Sequence, residues 1–258
     1  MDKITNVSYR FLGIRVHALT KPDLLVAIEN VIKAGTPNSI IGNHNLHSLY
    51  LCQSNAEIRR FYDRNTYTHV DGMSIIILAR IFGVPLGRIH RTGYLDWFDD
   101  FLSMAEKNSW RIYFLGGRPK VASGLLDKFH TVYPNLQLCS HHGYDAFEHG
   151  TTVFEEIKAF APHVLMVGMG MPLQERWIET EVLSNRINVN LILSCGAIMD
   201  YYMGAQKAAP RWLGQIGLEW MYRLVRDPKR LFFRYVIEPV TLLPLIICEW
   251  RKRKNYAR

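Results

Sequence analysis

The sequence predicts an α/β protein: a mostly parallel sheet with helices on both faces, followed by a helical C-terminal appendage. Three observations carry this. Short apolar runs alternate with longer amphipathic stretches along most of the chain. Polar or glycine-containing turns follow the apolar runs directly, and the alternation stops near Pro210, where a stretch rich in Trp, Arg, Leu and Ile begins. Strand then helix, repeated, requires crossover connections, which cover a parallel sheet on both sides.

In chain order, strands are expected over Ser39–Gly42, Thr68–Val70, Arg111–Leu115, Leu136–Ser140, Val164–Val167 and Asn190–Ser194. Between them the spacing predicts helices over Pro22–Ala34, Leu46–Arg64, Met73–Phe82, Leu95–Asn108, Lys120–Tyr133, Thr152–Ala161 and Leu173–Leu183. Residues 1–209 then form the sheet domain. Residues 210–258 read as two or three basic amphipathic helices, suited either to packing on the domain or to lying on a membrane surface.

With 258 residues, 48% of them hydrophobic, the chain can bury a substantial core. Its formal charge of +8 calls for an anionic partner: a phosphate-bearing small molecule, nucleic acid or an anionic membrane. Cys52, Cys139, Cys195 and Cys248 are scattered, with no C-x-x-C pair, so neither a zinc site nor a disulfide framework is expected. The N-terminal residues lack the long apolar stretch of a signal peptide, which predicts that the bulk of the chain stays in the cytoplasm. The most apolar run, Tyr235 to Trp250, is interrupted by Glu238, Pro239, Pro244 and Glu249 and does not read as a membrane span.

Parallel sheets bind ligands beyond the carboxyl ends of their strands. The turns there are Asn43-His44-Asn45, Asp71-Gly72, Gly116-Gly117, Gly168-Met169-Gly170 and Gly196. Gly116-Gly117, just before a helix, allows close backbone approach to a diphosphate. Pro172 suits a first helical turn, which brings Gln174 and Glu175 to the crevice; the Gln174 amide could meet a uracil edge or a sugar hydroxyl. Asp71 is the candidate general base, taking a proton from an attacking hydroxyl, and Asn43 and Asn45 are candidates for bonding sugar hydroxyls. Arg88 and Arg91 precede Thr92-Gly93, while Arg223, Arg230 and Arg234 share one face by helical spacing. Guanidinium groups can stabilise a leaving diphosphate without a metal. No D-x-D pattern is present at Asp96, Asp99 and Asp100, so no metal is expected.

Taken in order, these motifs resemble the WecG/TagA/CpsF family of glycosyltransferases (glycosyltransferase family 26), from about Tyr9 to Tyr235. They include Val70-Asp71-Gly72, Leu115-Gly116-Gly117, Gly168-Met169-Gly170 with Pro172, Gln174 and Glu175, Gly196-Ala197 with Asp200 and Gly204, and Leu218-Glu219-Trp220 with Arg223, Pro228 and Arg230. The resemblance implies a modified Rossmann-like fold and an inverting, metal-independent transfer from a UDP-sugar to a polyprenyl-diphosphate-linked saccharide. Products of that kind are precursors of teichoic acid, enterobacterial common antigen and exopolysaccharide. It also implies that Asp71 is the base and that Asn45 and Gln174 belong to the pocket. The appendage would meet the cytoplasmic face of the membrane peripherally and bring Arg223, Arg230 and Arg234 over the site.

Three departures stand out: Asn43 replaces the threonine of a T-x-N turn, Ala208 replaces an arginine before Ala-Pro, beside Lys207, and inserted residues leave Arg88 and Arg91 competing for one role. They suggest a different sugar from N-acetylmannosamine, with UDP-glucose as the expected donor and an N-acetylmannosamine or N-acetylmannosaminuronic acid donor as the alternative. A nicotinamide-dependent oxidoreductase is the remote rival, and the absence of G-x-G-x-x-G argues against it. A nucleic-acid partner would leave the polar turns without a role and is not expected. A homo-oligomer is compatible with the helical surface, but no residue singles out an interface.

Overall fold

Period-two alternation along the strands feeds two cores at once. Ile112 and Phe114 of one strand join one apolar cluster, while Tyr113 and Leu115 join the other. Val164 and Met166 alternate with Leu165 and Val167 in the same way. A strand buried on both faces reads in sequence as a continuous apolar run, which is why these were visible there.

A computed structural model describes residues 7–144, 150–184 and 187–256. Strands β1 (Ser8–Phe11) and β2 (Ile14–His17) form an antiparallel hairpin. The main sheet comprises β3 (Ser39–His44), β4 (Tyr67–Val70), β5 (Arg111–Gly116), β6 (Gln137–His141), β7 (Val164–Gly168) and β8 (Leu191–Ser194). Its order is β4-β3-β8-β7-β5-β6, with every pair parallel. This is the α/β architecture with a Rossmann-like parallel sheet that the sequence predicts.

Helices α1 (Lys21–Ala34), α5 (Tyr94–Lys107) and α6 (Pro119–His130) supply one cluster through Leu24, Ile28, Trp97, Phe101, Leu125 and Phe129. The opposite face is covered by α2 (Leu46–Ser54), α3 (Ala56–Arg64), α4 (Met73–Ile81), α7 (Gly150–Phe160) and α8 (Leu173–Trp177). Local chemistry sets the ends of α1: Thr20 and Asp23 form a reciprocal capping box, and Gly35 closes the helix at φ 67°.

Three local differences from the sequence reading have physical causes. The expected helix Leu46–Arg64 is two helices, because Asn55 turns extended and its side chain caps the amides of Glu57 and Ile58. The β1–β2 hairpin was not anticipated; its turn places Leu12 and Gly13 at positive φ, and Leu12 lacks the usual turn chemistry. The helix expected to run to Leu183 changes at Ile178 into a π-helical turn, Ile178–Leu183.

Beyond Ala209 lie α9's downstream neighbours, after α9 itself (Ile198–Tyr202): α10 (Arg211–Gln215), α11 (Glu219–Arg226) and α12 (Pro228–Phe232). The last continues through a π-helical turn, Phe233–Ile237, into α13 (Glu238–Tyr256). The segment Pro228–Lys252 is therefore one helix, long and apolar enough to cross a membrane by length and composition. That corrects the reading of this run as too interrupted: Pro244 is carried inside the helix, and Glu238 turns inward, 2% exposed, where both its oxygens lie 2.8 Å from His47 Nδ1 of α2. Leu231 and Leu242 are also buried, and α13 packs on α2.

Three buried histidines make stability pH-dependent. Burial pushes His44 and His69 down from 6.5 to about 3 and His17 to about 4, with nearby Arg15 adding to the effect at His17. Each folded value lies below the unfolded one, so the unfolded chain binds more protons below about pH 6.5. Their stabilising contribution is complete above that pH and is lost as the pH falls toward 4 and 3. The melting temperature should drop steadily from pH 7 to pH 4, and His69→Gln should flatten the slope; a constant melting temperature across that range would contradict this.

Candidate active site

The cleft opens at the carboxyl ends of β3, β4, β7 and β8. Backbone pairing brings its parts together: Arg91 bridges to Val70, and the Thr92 amide donates to the Val70 carbonyl at 2.7 Å. This sets Arg91 beside Asp71, the residue following β4. Gly93 makes room for the convergence, since a Cβ there would lie 3.2 Å from Asp71 Oδ1, 3.1 Å from Asp96 Oδ2 and 3.3 Å from Arg91 Nη2.

Two adjoining cavities share Asn45, Asp71, Arg91, Gly214, Glu219, Arg223 and Arg234. The inner one, about 190 Å³, adds Asn43, Tyr94, Asp96, Gly170, Gly196, Tyr201 and Arg230. The outer one, about 340 Å³, adds a more apolar wall from Leu46, Met73, Ile77, Trp220, Tyr235 and Pro239, together with His47. Four arginines thus line the inner cavity against three carboxylates, Asp71, Asp96 and Glu219.

Asn45 caps α2, its Oδ1 accepting from the Ser48 amide at 3.1 Å, which leaves its amide hydrogens for a ligand. Asn43 is 4% exposed and donates through Nδ2 to the Ser194 carbonyl at 3.0 Å, joining β3 to β8 in the cavity wall. Arg91 holds Asp96 at 3.0 Å and Glu219 at 3.2 Å. Arg223 lies 4.0 Å from Glu219 and its guanidinium stacks over Tyr201 at 5.8 Å. Arg230 is held by Asp227. Burial, and then the neighbouring Asp71 charge, raise the pKa of Glu219, while Arg223 and Arg91 oppose the shift.

Several expected site residues are placed elsewhere. Arg88 is exposed on a short 3-10 turn, Arg88–His90, and lines neither cavity. Gln174, expected to face uracil or sugar, is fully buried with its amide already engaged: Oε1 accepts from the Gly196 amide at 3.0 Å and Nε2 donates to Glu175 at 2.9 Å. Glu175 is likewise fully buried, against Tyr62. Gly116 and Gly117 line neither cavity. Gly116 admits the neighbouring backbone, since a Cβ there would lie 2.4 Å from the Gly168 carbonyl oxygen, and one on Gly168 would lie 2.8 Å from that of Gly196. Asp200 is half-buried, bonded by Gln206 at 3.2 Å, with its pKa raised by burial.

Sequence reasoning passed over Glu219, Tyr201 and Gly214. Glu219 carried a legible signal, an acid four residues before Arg223. Gly214 carried none: its missing side chain admits the Arg91–Glu219 pair, with Arg91 Nη2 3.1 Å from where a Cβ would be. Among the described residues no group of three or more His, Cys, Asp or Glu side chains is placed to hold a metal.

A carboxylate shares this strand-end cleft with clustered arginines, an arrangement suited to a phosphate-bearing ligand. The chain belongs to the glycosyl transferase WecG/TagA/CpsF family, whose profile matches residues 9–256. It is similar to the N-acetylglucosaminyldiphosphoundecaprenol N-acetyl-beta-D-mannosaminyltransferases of Staphylococcus aureus strains MW2 and NCTC 8325 / PS 47. Each is 28% identical over 218 residues, covering 81% of this chain and 82% of the relative. The names of these relatives carry N-acetylmannosamine and give no support to the expected UDP-glucose, so they favour the alternative donor over it. Asn43, one of the three departures that prompted the UDP-glucose expectation, is used in the wall, through Ser194, and so says little about the sugar.

Proposed function

We propose that the protein transfers N-acetylmannosamine from its UDP-activated form to an N-acetylglucosaminyl-diphospho-polyprenol, inverting the anomeric centre. The observation that carries this reading is Asp71 at the junction of the two cavities, facing Arg91, Arg223 and Arg234. The polar inner cavity takes the nucleotide-sugar, its diphosphate toward the arginines. The acceptor enters through the more apolar outer cavity, and Asp71 removes the proton from its attacking hydroxyl as the bond to UDP breaks. Charge developing on the departing diphosphate is met by guanidinium groups, so the residues present can support the reaction without a metal. A panel of UDP-sugars with a short-chain prenyl-diphosphate acceptor, read by mass spectrometry, tests the reading. UDP-N-acetylmannosamine should give product fastest; turnover with UDP-glucose alone would contradict the donor assignment.

The appendage supports a peripheral position on the cytoplasmic membrane face. Phe232, Phe233, Val240, Leu243, Ile247 and Trp250 are exposed, with Arg251 and Lys252 following. Glu238, Leu231 and Leu242 are occupied by packing within the protein, which favours lying on the bilayer over crossing it. The full chain should float with anionic vesicles and a truncation after Pro210 should not; equal flotation would contradict the assignment.

A further inference from the structure

We infer that Glu175 and Tyr62 form a buried positioning pair that, through Gln174, fixes the Gly196 turn on the wall of the nucleotide-sugar cavity. The inference rests on the donor reading of that cavity. Gly196 lines it in the left-handed region at φ 57°, and its amide donates to Gln174 Oε1 at 3.0 Å. Gln174 Nε2 in turn donates to Glu175 Oε1 at 2.9 Å, and the Tyr62 hydroxyl donates to the same oxygen at 3.2 Å. Gln174 and Glu175 are fully buried and Tyr62 is 3% exposed, so water does not compete for these bonds.

The network reaches a second wall of the cleft. The Tyr62 ring packs on His44 at 4.3 Å between centroids, and His44 Nδ1 lies 2.9 Å from Ser48 Oγ. Ser48 completes the capping box with Asn45, which lines both cavities. A single buried run of contacts therefore ties the turn after β8 to the turn after β3. None of the interior members needs to touch the substrate.

Burial disfavours the charged form of Glu175. Its Oε1 takes both donors, whereas Oε2 has no hydrogen-bond partner. Burial pushes its pKa up from 4.5 to about 7, against the opposing bonds from Gln174 and Tyr62. The titratable groups beside it are Tyr62 of α3 and Cys52 of α2, whose own pKa values burial raises, and the cavity that it borders is also lined by Glu57, Arg60 and Arg64 of α3 and by Arg176 and Glu179. Arg64 is engaged with Glu179 at 2.7 Å, and Arg176 is exposed. As the pH rises through about 7, ionisation puts a charge on a fully buried group at a cost in stability, while the bonds that Oε1 accepts from Gln174 and Tyr62 become charge-assisted.

The test is calorimetric UDP binding between pH 6 and 8.5 by the unaltered protein and by Glu175→Ala, Glu175→Gln and Tyr62→Phe, with donor KM and kcat alongside. Loss of the two bonds in Glu175→Ala should weaken UDP about tenfold. Glu175→Gln keeps an acceptor at Oε1 and should recover most of that loss. Tyr62→Phe should raise donor KM about threefold with little change in kcat. A folded Glu175→Ala that binds UDP normally would overturn the inference, as would Glu175→Gln as weak as the alanine variant. If Glu175→Ala does not fold, an unchanged KM in Tyr62→Phe overturns it equally. Failure of the unaltered protein to bind UDP would instead overturn the donor reading on which the inference rests.

Discussion

Asp71→Asn should lower kcat by about 10²–10⁴-fold, the usual range for losing a general base, while leaving UDP affinity within about twofold, since a neutral amide of the same shape adds no repulsion toward a diphosphate. The expectation follows from placement. Asp71 lines both cavities, and the backbone holds it there: its amide donates to the His44 carbonyl at 3.0 Å, and the bridge from Val70 to Arg91 fixes the other side. Glu219 also faces the cleft but is committed to Arg91 at 3.2 Å and lies near Arg223 at 4.0 Å. Single-turnover UDP release with acceptor present is the readout. Undiminished turnover would remove Asp71 from the base role and direct attention to Glu219.

Arg223→Ala should reduce kcat/KM for the donor by about 10²-fold, the scale of removing one preorganised charge from a developing oxyanion. Arg223 is largely shielded, its side chain 23% exposed, and stacked over Tyr201, so its position is set before a ligand arrives. Lysine should restore less than half of the lost activation free energy, because it offers neither the planar fork nor the stacking. The same change leaves Glu219 with Arg91 as its remaining partner near Asp71, which raises the repulsion between those two carboxylates. Steady-state kinetics with varied donor checks the prediction; a change confined to acceptor KM would place Arg223 on the acceptor instead.

The doubly covered sheet was legible because two-sided burial writes itself as apolar runs, such as Val164–Val167. The strand ends were less legible. β3 extends to His44 because Asn43 and His44 still pair with His69 and Val70 while already serving the cleft, so polar residues continue the strand. Asp71, Asn45 and the appendage arginines, singled out by residue type and position, do line the cavities. What type could not reveal was burial. Gln174 and Glu175 read as binding groups yet turn inward, and Gly116-Gly117 reads as a phosphate cradle yet admits the Gly168 backbone. The choice between Arg88 and Arg91 needed the bridge at Val70, a pairing between residues 21 positions apart. The continuous helix from Pro228 was hidden because Glu238 looks like an interruption until its partner, His47, is known.

In the proposed reaction this cleft moves a sugar from UDP to a lipid-linked acceptor in one displacement assisted by Asp71. Its most direct measurement is the anomeric configuration and stoichiometry of the product made from UDP-N-acetylmannosamine and a prenyl-diphospho-N-acetylglucosamine, followed by NMR and UDP quantitation. The account predicts one UDP per disaccharide-lipid, with the configuration inverted relative to the donor. A product that retains the donor's configuration, or UDP released with no sugar on the lipid, would contradict it.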